Sequence, residues 1–271
     1  MTGAAGMLGH DLTAHLSGRH EVTGVDLEVD VTDPAAVRAC VRDVAPEAIF
    51  HLAAWTDVDG AEAREAEAQA VNADGSRNVA EAAAQAGAAL VLPSTDYVFD
   101  GRAGRAYSED DVPNPQGAYG RTKLAGERAA LAAWPDGTRV ARTAWLYGSA
   151  GRNFVDTMRN LGAERDELTV VDDQEGSPTW TRDLAPALED LLAQPPGVYH
   201  TAGGGSVTWA GFARAIFAEA GIDCRVRPIT TEELGRPAPR PAYSPLAVTR
   251  PGAPRLRPWR EALADYIKET A

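Results

Sequence analysis

The 271 residues are 44% hydrophobic, 24% charged and 7% aromatic, which is enough apolar material for one or two packed domains. With 26 Lys and Arg against 39 Asp and Glu the formal net charge is -13. That excludes a protein tracking a nucleic-acid backbone, though not one with a local pocket for a small anion. Two cysteines, Cys40 and Cys224, exclude a disulfide framework, and no apolar run is long enough to cross a bilayer. The expectation is a soluble cytoplasmic protein with no nucleic-acid and no membrane partner.

In chain order, the sequence predicts a helix over Met7–Ser17, a strand over Glu21–Asp26 and a helix over Pro34–Val44. Asp33-Pro34 gives that second helix an N-cap and a first-turn proline. A strand over Ala48–Leu52, a helix over Ala61–Ala86 and a strand over Ala88–Pro93 follow, then a helix over Gln116–Ala133 and a strand over Thr138–Thr143. Strands spaced by helices of this length read as repeated β-α-β units. The expected fold is therefore α/β, a doubly wound parallel sheet of Rossmann type. Past residue 145 the pattern loosens: short strands over Leu168–Val171, Gly197–His200 and Arg225–Ile229, helices over Trp180–Leu192 and Thr208–Ala220, an irregular Arg236–Pro258, and a closing helix over Trp259–Lys268. The expected division is a dinucleotide-binding domain over 1–145 and a small substrate-binding lobe over 146–271, with the chain free to interleave.

Thr2-Gly3-Ala4-Ala5-Gly6-Met7-Leu8-Gly9 is a G-x-x-G-x-x-G loop running into the first helix. Such a loop makes a tight turn and lets backbone approach a pyrophosphate seated on the helix N-terminus. Gly3, Gly6, Met7, Leu8 and Gly9 are thus candidate cofactor-binding residues. Asp26 lies 23 residues after Gly3 at the end of a predicted strand, placed to accept from the adenosine ribose, which favours NADH. The bland alternative is a solvated Asp capping that strand. Asp30 and Val31 are placed to touch the adenine, and the small residues of Ala53-Ala54-Trp55 let the third strand's end approach the cofactor. The loop ought to follow a hydrophobic strand, yet only Met1 precedes it. The expectation is a natural start upstream, the sheet otherwise lacking its first strand.

Tyr119 and Lys123 form a Y-x-x-x-K pair whose spacing puts both side chains on one helix face. A neighbouring ammonium and an oxidised nicotinamide are expected to lower the phenol pKa and make Tyr119 an acid-base group near neutrality. Thr95 ends the fourth strand, 24 residues before Tyr119, where its hydroxyl can bond a substrate carbonyl.

Taken together, these motifs resemble the extended short-chain dehydrogenase/reductase family, and more narrowly its dTDP-4-dehydrorhamnose reductase branch. The likeness is carried by Ala53-Ala54-Trp55-Thr56-Asp57-Val58-Asp59-Gly60-Ala61-Glu62, Ser94-Thr95-Asp96-Tyr97-Val98-Phe99-Asp100-Gly101 and Tyr119-Gly120-Arg121-Thr122-Lys123-Leu124-Ala125-Gly126-Glu127. Arg142-Thr143-Ala144-Trp145, Asp172 to Thr179 and Arg240-Pro241-Ala242-Tyr243-Ser244 extend it over nearly the whole chain. The resemblance implies NADPH or NADH as cofactor, Tyr119 as proton donor, Lys123 as its partner on the ribose, and Thr95 as the group on the carbonyl. It implies Val58 and Trp145 in the sugar pocket beside Thr95 and Asp96. The family usually has Tyr or His where this chain has Trp55. Some members bind magnesium at a dimer contact, but no ligand cluster here supports a metal, and the expected state is a monomer or homodimer.

Gln174 sits in a polar loop that suits either a substrate contact or a plain connection. Arg240, a cation among prolines, suits a nucleotide diphosphate. Trp209 and Phe212 read as packing. The leading function is 4-keto reduction of dTDP-4-dehydro-6-deoxy-L-mannose to dTDP-L-rhamnose, with reduction of another dTDP-4-keto-deoxysugar as its neighbour. A dehydratase would need Thr-Asp-Glu where this chain reads Thr95-Asp96-Tyr97, so elimination lacks its base. A non-catalytic, reductase-like regulatory subunit would have no need of Thr95, Tyr119 and Lys123 together.

Overall fold

The computed structural model describes residues 1–270. The glycine loop feeds α1 (Met7–Leu16), which buries Leu8, Gly9, Leu12 and Leu16 along one stripe. α2 (Pro34–Val44) begins as expected, with Asp33 accepting from the Ala35 amide, and β1 (Ala48–Phe50) follows it. The single helix expected over 61–86 is instead three: α3 (Val58–Ala63), opened by Asp57 accepting from Gly60, α4 (Glu65–Gln69), and α5 (Gly75–Ala86), with a π-helical turn over Ala70–Asp74. Tertiary contacts cause the irregularity. Asn72 in the π turn bonds the Trp55 amide and carbonyl and the Thr122 hydroxyl. Gly126 of the next helix runs so near that a Cβ would lie 2.1 Å from the Asn72 carbonyl oxygen.

β2 (Ala89–Thr95), α6 (Ala118–Ala133) and β3 (Thr138–Thr143) complete the first half. Beyond it come β4 (Leu146–Tyr147), α7 (Phe154–Glu164), β5 (Glu167–Val171), β6 (Glu175–Gly176), β7 (Thr179–Trp180), α8 (Thr181–Asp190), β8 (Gly197–His200), β9 (Val207–Thr208), α9 (Trp209–Ala220), β10 (Arg225–Ile229), α10 (Thr231–Leu234) and α11 (Trp259–Glu269). The main sheet has the order β1-β2-β3-β8, parallel throughout. Its strands alternate faces: Phe50, Val91, Ala141 and Tyr199 pack beneath α1 and α8, while Ile49, Leu90, Leu92 and Val140 join Val37 of α2 and Val79 of α5. The sheet is therefore wound on both sides, as the strand-helix alternation predicts.

A second expectation needs correction. Residues 21–26 are not a strand, because a strand needs a partner ladder and only Thr2 pairs there, with Val25. Thr2 bridges Val25 on one side and His51 on the other, so Met1-Thr2 lies in the central-strand position. Beside Met1 is a cavity of about 350 Å³ lined by Leu16, Val22, Val44, Phe50 and Leu192. Across residue 145 the chain interleaves. β8 is the fourth strand of the main sheet, and Leu184, Leu188 and Leu191 share one core with Leu8, Leu12 and Leu16. The remaining C-terminal elements have their own core around Phe212, Ile216, Leu263 and Tyr266. Residues 236–258 are irregular as expected and are stitched on by single bridges, Tyr107 to Leu246, Glu175 to Tyr243 and Gly204 to Pro258.

Candidate active site

The glycine loop is shaped by close approach. Gly3 has φ +65°, and a Cβ there would lie 2.6 Å from the Ala53 amide nitrogen; at Gly9 it would lie 2.5 Å from the Gly3 carbonyl oxygen. Gly6 N-caps α1 without any side-chain cap, which leaves the first-turn amides of Met7, Leu8 and Gly9 to point at a ligand. An uncapped helix N-terminus behind a cradle closed to any Cβ fits a dinucleotide pyrophosphate. Asp26 accepts from the Ala5 amide at 3.0 Å, so its carboxylate braces the loop. Asp30 is exposed and turned onto Thr32. Val31 differs from expectation: its side chain is buried in the core against Gly75, and its carbonyl accepts from Asn78, so only its backbone remains for an adenine. Ala53, Ala54 and Trp55 are half-buried at the cradle's far wall. The Trp55 indole donates to the Asp57 carbonyl and lies under the Arg64 guanidinium, 4.4 Å from the ring centroid.

Thr95, at the end of β2, and Tyr119 with Lys123, on α6, come together where parallel strands end. Gly120 allows this, since a Cβ there would lie 2.2 Å from the Tyr97 carbonyl oxygen. Tyr97 packs edge-on against Tyr119 with centroids 5.7 Å apart. Burial, then the Asp96 carboxylate, pushes the Tyr119 phenol up to about 12, while the Thr95 hydroxyl opposes them. Burial brings the Lys123 ammonium down to about 8, opposed by Glu127, and its Nζ donates to the Pro93 carbonyl at 2.9 Å. Glu127, 2% exposed, is held by Arg142, 4% exposed, through Nε at 3.0 Å and Nη2 at 2.8 Å. Tyr119, Lys123 and Glu127 thus occupy successive turns of one helix face.

Asp96 is fully buried, and burial pushes its carboxyl up to about 6 despite hydrogen bonds from Ser244 and Thr95. It is placed behind Thr95 rather than open to a ligand. Val58 is half-buried at the start of α3. Trp145 lies just past β3, whose Thr143 pairs with Thr95 in register. Its φ of +49° is left-handed, a cost of order 1–3 kcal/mol for a non-glycine residue that tends to mark functional positions. Gln174 is buried with its amide bonded inside the protein, to Thr231 and Trp209. Arg240 is paired with both Asp59 oxygens at 3.0 Å. Asp59 also accepts from Arg236; burial pushes its carboxyl up, but the two arginines win and hold it below the usual range. Two guanidiniums on one carboxylate leave a positive charge at this edge. Asp59, Ser244 and Asn72 escaped the sequence reading. The first two lie inside quoted motifs, but nothing local announced their partners.

Among the described residues no group of three or more His, Cys, Asp or Glu side chains is placed to hold a metal ion, and no helix is long and apolar enough to cross a membrane.

The RmlD substrate binding domain model matches residues 1–271. The chain is 47% identical to a dTDP-4-dehydrorhamnose reductase of Streptomyces griseus, over 98% of this chain and 91% of the relative. It is 44% identical to a dTDP-4-keto-6-deoxy-D-glucose reductase of Streptomyces niveus, over 98% and 94% of the two chains. The crystal structure of dTDP-4-dehydrorhamnose reductase from Bacillus anthracis in complex with NADP superposes with a TM-score of 0.96 at 39% identity, covering 99% of this chain and 97% of that one.

Proposed function

The chain belongs to the RmlD substrate binding domain family, and from that premise we propose that it is an NADPH- or NADH-dependent oxidoreductase that reduces the C4 ketone of dTDP-4-dehydro-6-deoxy-L-mannose to dTDP-L-rhamnose. The observation that carries the reading is the convergence of Thr95, Tyr119 and Lys123 at the strand ends beside a cradle fitted to a dinucleotide.

When bound, the dinucleotide supplies a hydride to C4. Gly3, Gly6 and Gly9 with the first-turn amides of α1 hold the pyrophosphate, and Asp26 takes the ribose. Tyr119 keeps its proton on the phenol oxygen until C4 is reduced, then gives it to the alkoxide. A high phenol pKa suits that direction, because the group must arrive protonated. Lys123 holds the ribose hydroxyls and, by its charge, favours the phenolate left behind. Thr95 turns its hydroxyl from Asp96 to the ketone oxygen and fixes the carbonyl for attack. Trp145 and Val58 wall the sugar, and Arg240 with Arg236 answers the diphosphate charge. The C-terminal elements around Phe212 and Tyr266 form the lobe over the sugar, with a monomer or homodimer in the cytoplasm as the working state.

Reduction of another dTDP-4-keto-6-deoxysugar is the second reading, supported by nearly equal identity to the S. niveus reductase. The test is a panel of dTDP-4-keto sugars assayed with NADPH and with NADH, products identified by NMR. The expected result is fastest turnover of the L-lyxo sugar to dTDP-L-rhamnose. Cofactor binding without turnover of any sugar would overturn the enzyme reading in favour of a regulatory subunit.

A further inference from the structure

Trp145 and Trp209 lie face to face with centroids 3.4 Å apart and planes within 3° of each other. Full overlap is not what two indoles choose for themselves, since their quadrupoles prefer an offset or an edge. Here three surroundings impose it. The left-handed backbone at Trp145 sets the direction in which its side chain leaves the chain. Gly176 leaves room for that ring: a Cβ there would lie 2.4 Å from the indole. On the other side Trp209 Nε1 donates to Gln174 Oε1 at 3.2 Å, Gln174 Nε2 donates to Thr231 Oγ1 at 2.8 Å, and Thr231 Oγ1 donates to Asp173 at 2.6 Å. Phe154 closes on Trp209 at 4.6 Å. Trp209 is therefore fixed at its edge and its face, and it is the surface on which Trp145 rests. The expectation that Trp209 is plain packing misses this.

We infer that Trp209 is a positioning residue for the sugar: it holds the Trp145 indole as a rigid wall beside Thr95, so that Trp145 meets the sugar ring in one orientation. Gln174 serves through Trp209 by setting its rotation, its amide oxygen and nitrogen each bonded within the protein. This role rests on the sugar-reductase reading above. It predicts an effect on sugar binding rather than on the chemical step, because neither indole carries a reacting proton.

The experiment uses Trp209→Leu and Trp209→Phe in the full chain, with Trp145→Phe as a spectroscopic control. Trp209→Leu should raise KM for the dTDP-4-keto sugar about tenfold, the scale of one lost aromatic contact, with kcat changed much less. NADPH affinity should stay as in the wild type, which also reports a folded cradle. Trp209→Phe, which restores an aromatic face, should recover most of the KM. Two stacked indoles give an exciton couplet in the ultraviolet circular dichroism, which should vanish in Trp145→Phe and in both Trp209 variants. A Trp209→Leu enzyme with wild-type KM, or a couplet that survives in it, would overturn the role of Trp209 alone. A wild type that turns over no sugar of the panel would overturn the reductase reading, and this role with it.

Discussion

Ser244 donates its hydroxyl to the Asp96 carboxylate at 2.5 Å, which ties the irregular C-terminal strap to the residue behind Thr95. The same carboxylate accepts from the Thr95 hydroxyl at 3.2 Å, and among the described residues no cation bonds it. The Asp96 and Tyr97 amides also favour the charged form, but burial outweighs all of these hydrogen bonds, so the acid is costly when ionised.

Asp96 is therefore predicted to make the protein lose stability as pH rises. Its folded pKa, about 6, lies above the ordinary carboxylate value, so the folded state holds the proton more tightly. The stabilisation is fully present below pH 4 and disappears as pH passes about 6, a change on the order of 3 kcal/mol. Asp96→Asn, which has no charge to bury, should match the wild type at pH 4 and exceed it at pH 8 in urea melts. Parallel profiles for the two proteins would mean that Asp96 does not titrate this way.

Asp26 braces the Ala5 amide, and in the proposed cofactor pose its charge would meet a 2′-phosphate. Alanine would confound the two effects. Asp26→Asn keeps an acceptor for the amide and removes only the charge. It should move the NADPH to NADH ratio of kcat/KM towards NADPH by roughly three- to tenfold, the scale of one like charge near the surface. An unmoved ratio would show that Asp26 acts only as the brace.

What was legible in the sequence was what short-range chemistry determines. Asp33-Pro34 set the start of α2, and β3 and β8 have the bounds that apolar runs between helices predict. The Tyr119–Lys123 spacing was readable because a helix fixes it. Hidden features depend on distant partners. The run over 61–86 is Ala-rich with a single Gly75, and its π turn forms where Asn72 meets Trp55 and Thr122 across the fold. Nothing local says that the Val31 side chain turns inward onto Gly75. The Arg240 partner is hidden because Asp59 lies 181 positions away. The expected strand over 21–26 had the right composition, but no ladder forms beyond Thr2.

Glu127 and Arg142 form a buried pair one helical turn behind Lys123. Breaking such a pair leaves a charge without a partner in a dry site, which costs about 3–5 kcal/mol. Glu127→Gln should lower the melting temperature accordingly, while Glu127→Leu combined with Arg142→Leu should recover much of the loss. Glu127 also supports the charge on Lys123, so the single variant should lose activity at lower pH than the wild type. An alkaline limit that stays in place would show that Glu127 is only a structural partner for Arg142.

Proton transfer gives the most direct test of the site. Reduction needs a proton on Tyr119 and a charge on Lys123. The phenol stands at about 12 and stays protonated, whereas the ammonium, brought down to about 8, is lost first as pH rises. In the wild type kcat/KM should therefore fall above about pH 8, and the residue responsible should be Lys123. Lys123→Met should be slow, bind cofactor weakly and show no such limb. Tyr119→Phe keeps the ring that packs against Tyr97, so fold and cofactor binding should survive while kcat falls about a hundred- to ten-thousandfold. Thr95→Val removes one hydrogen bond to the ketone, worth roughly 1–3 kcal/mol when left unmade, and should slow turnover less. Single-turnover oxidation of NADPH against pH measures all three variants on one scale. A near-normal rate in Tyr119→Phe, or an alkaline limb that persists in Lys123→Met, would assign the proton to another group.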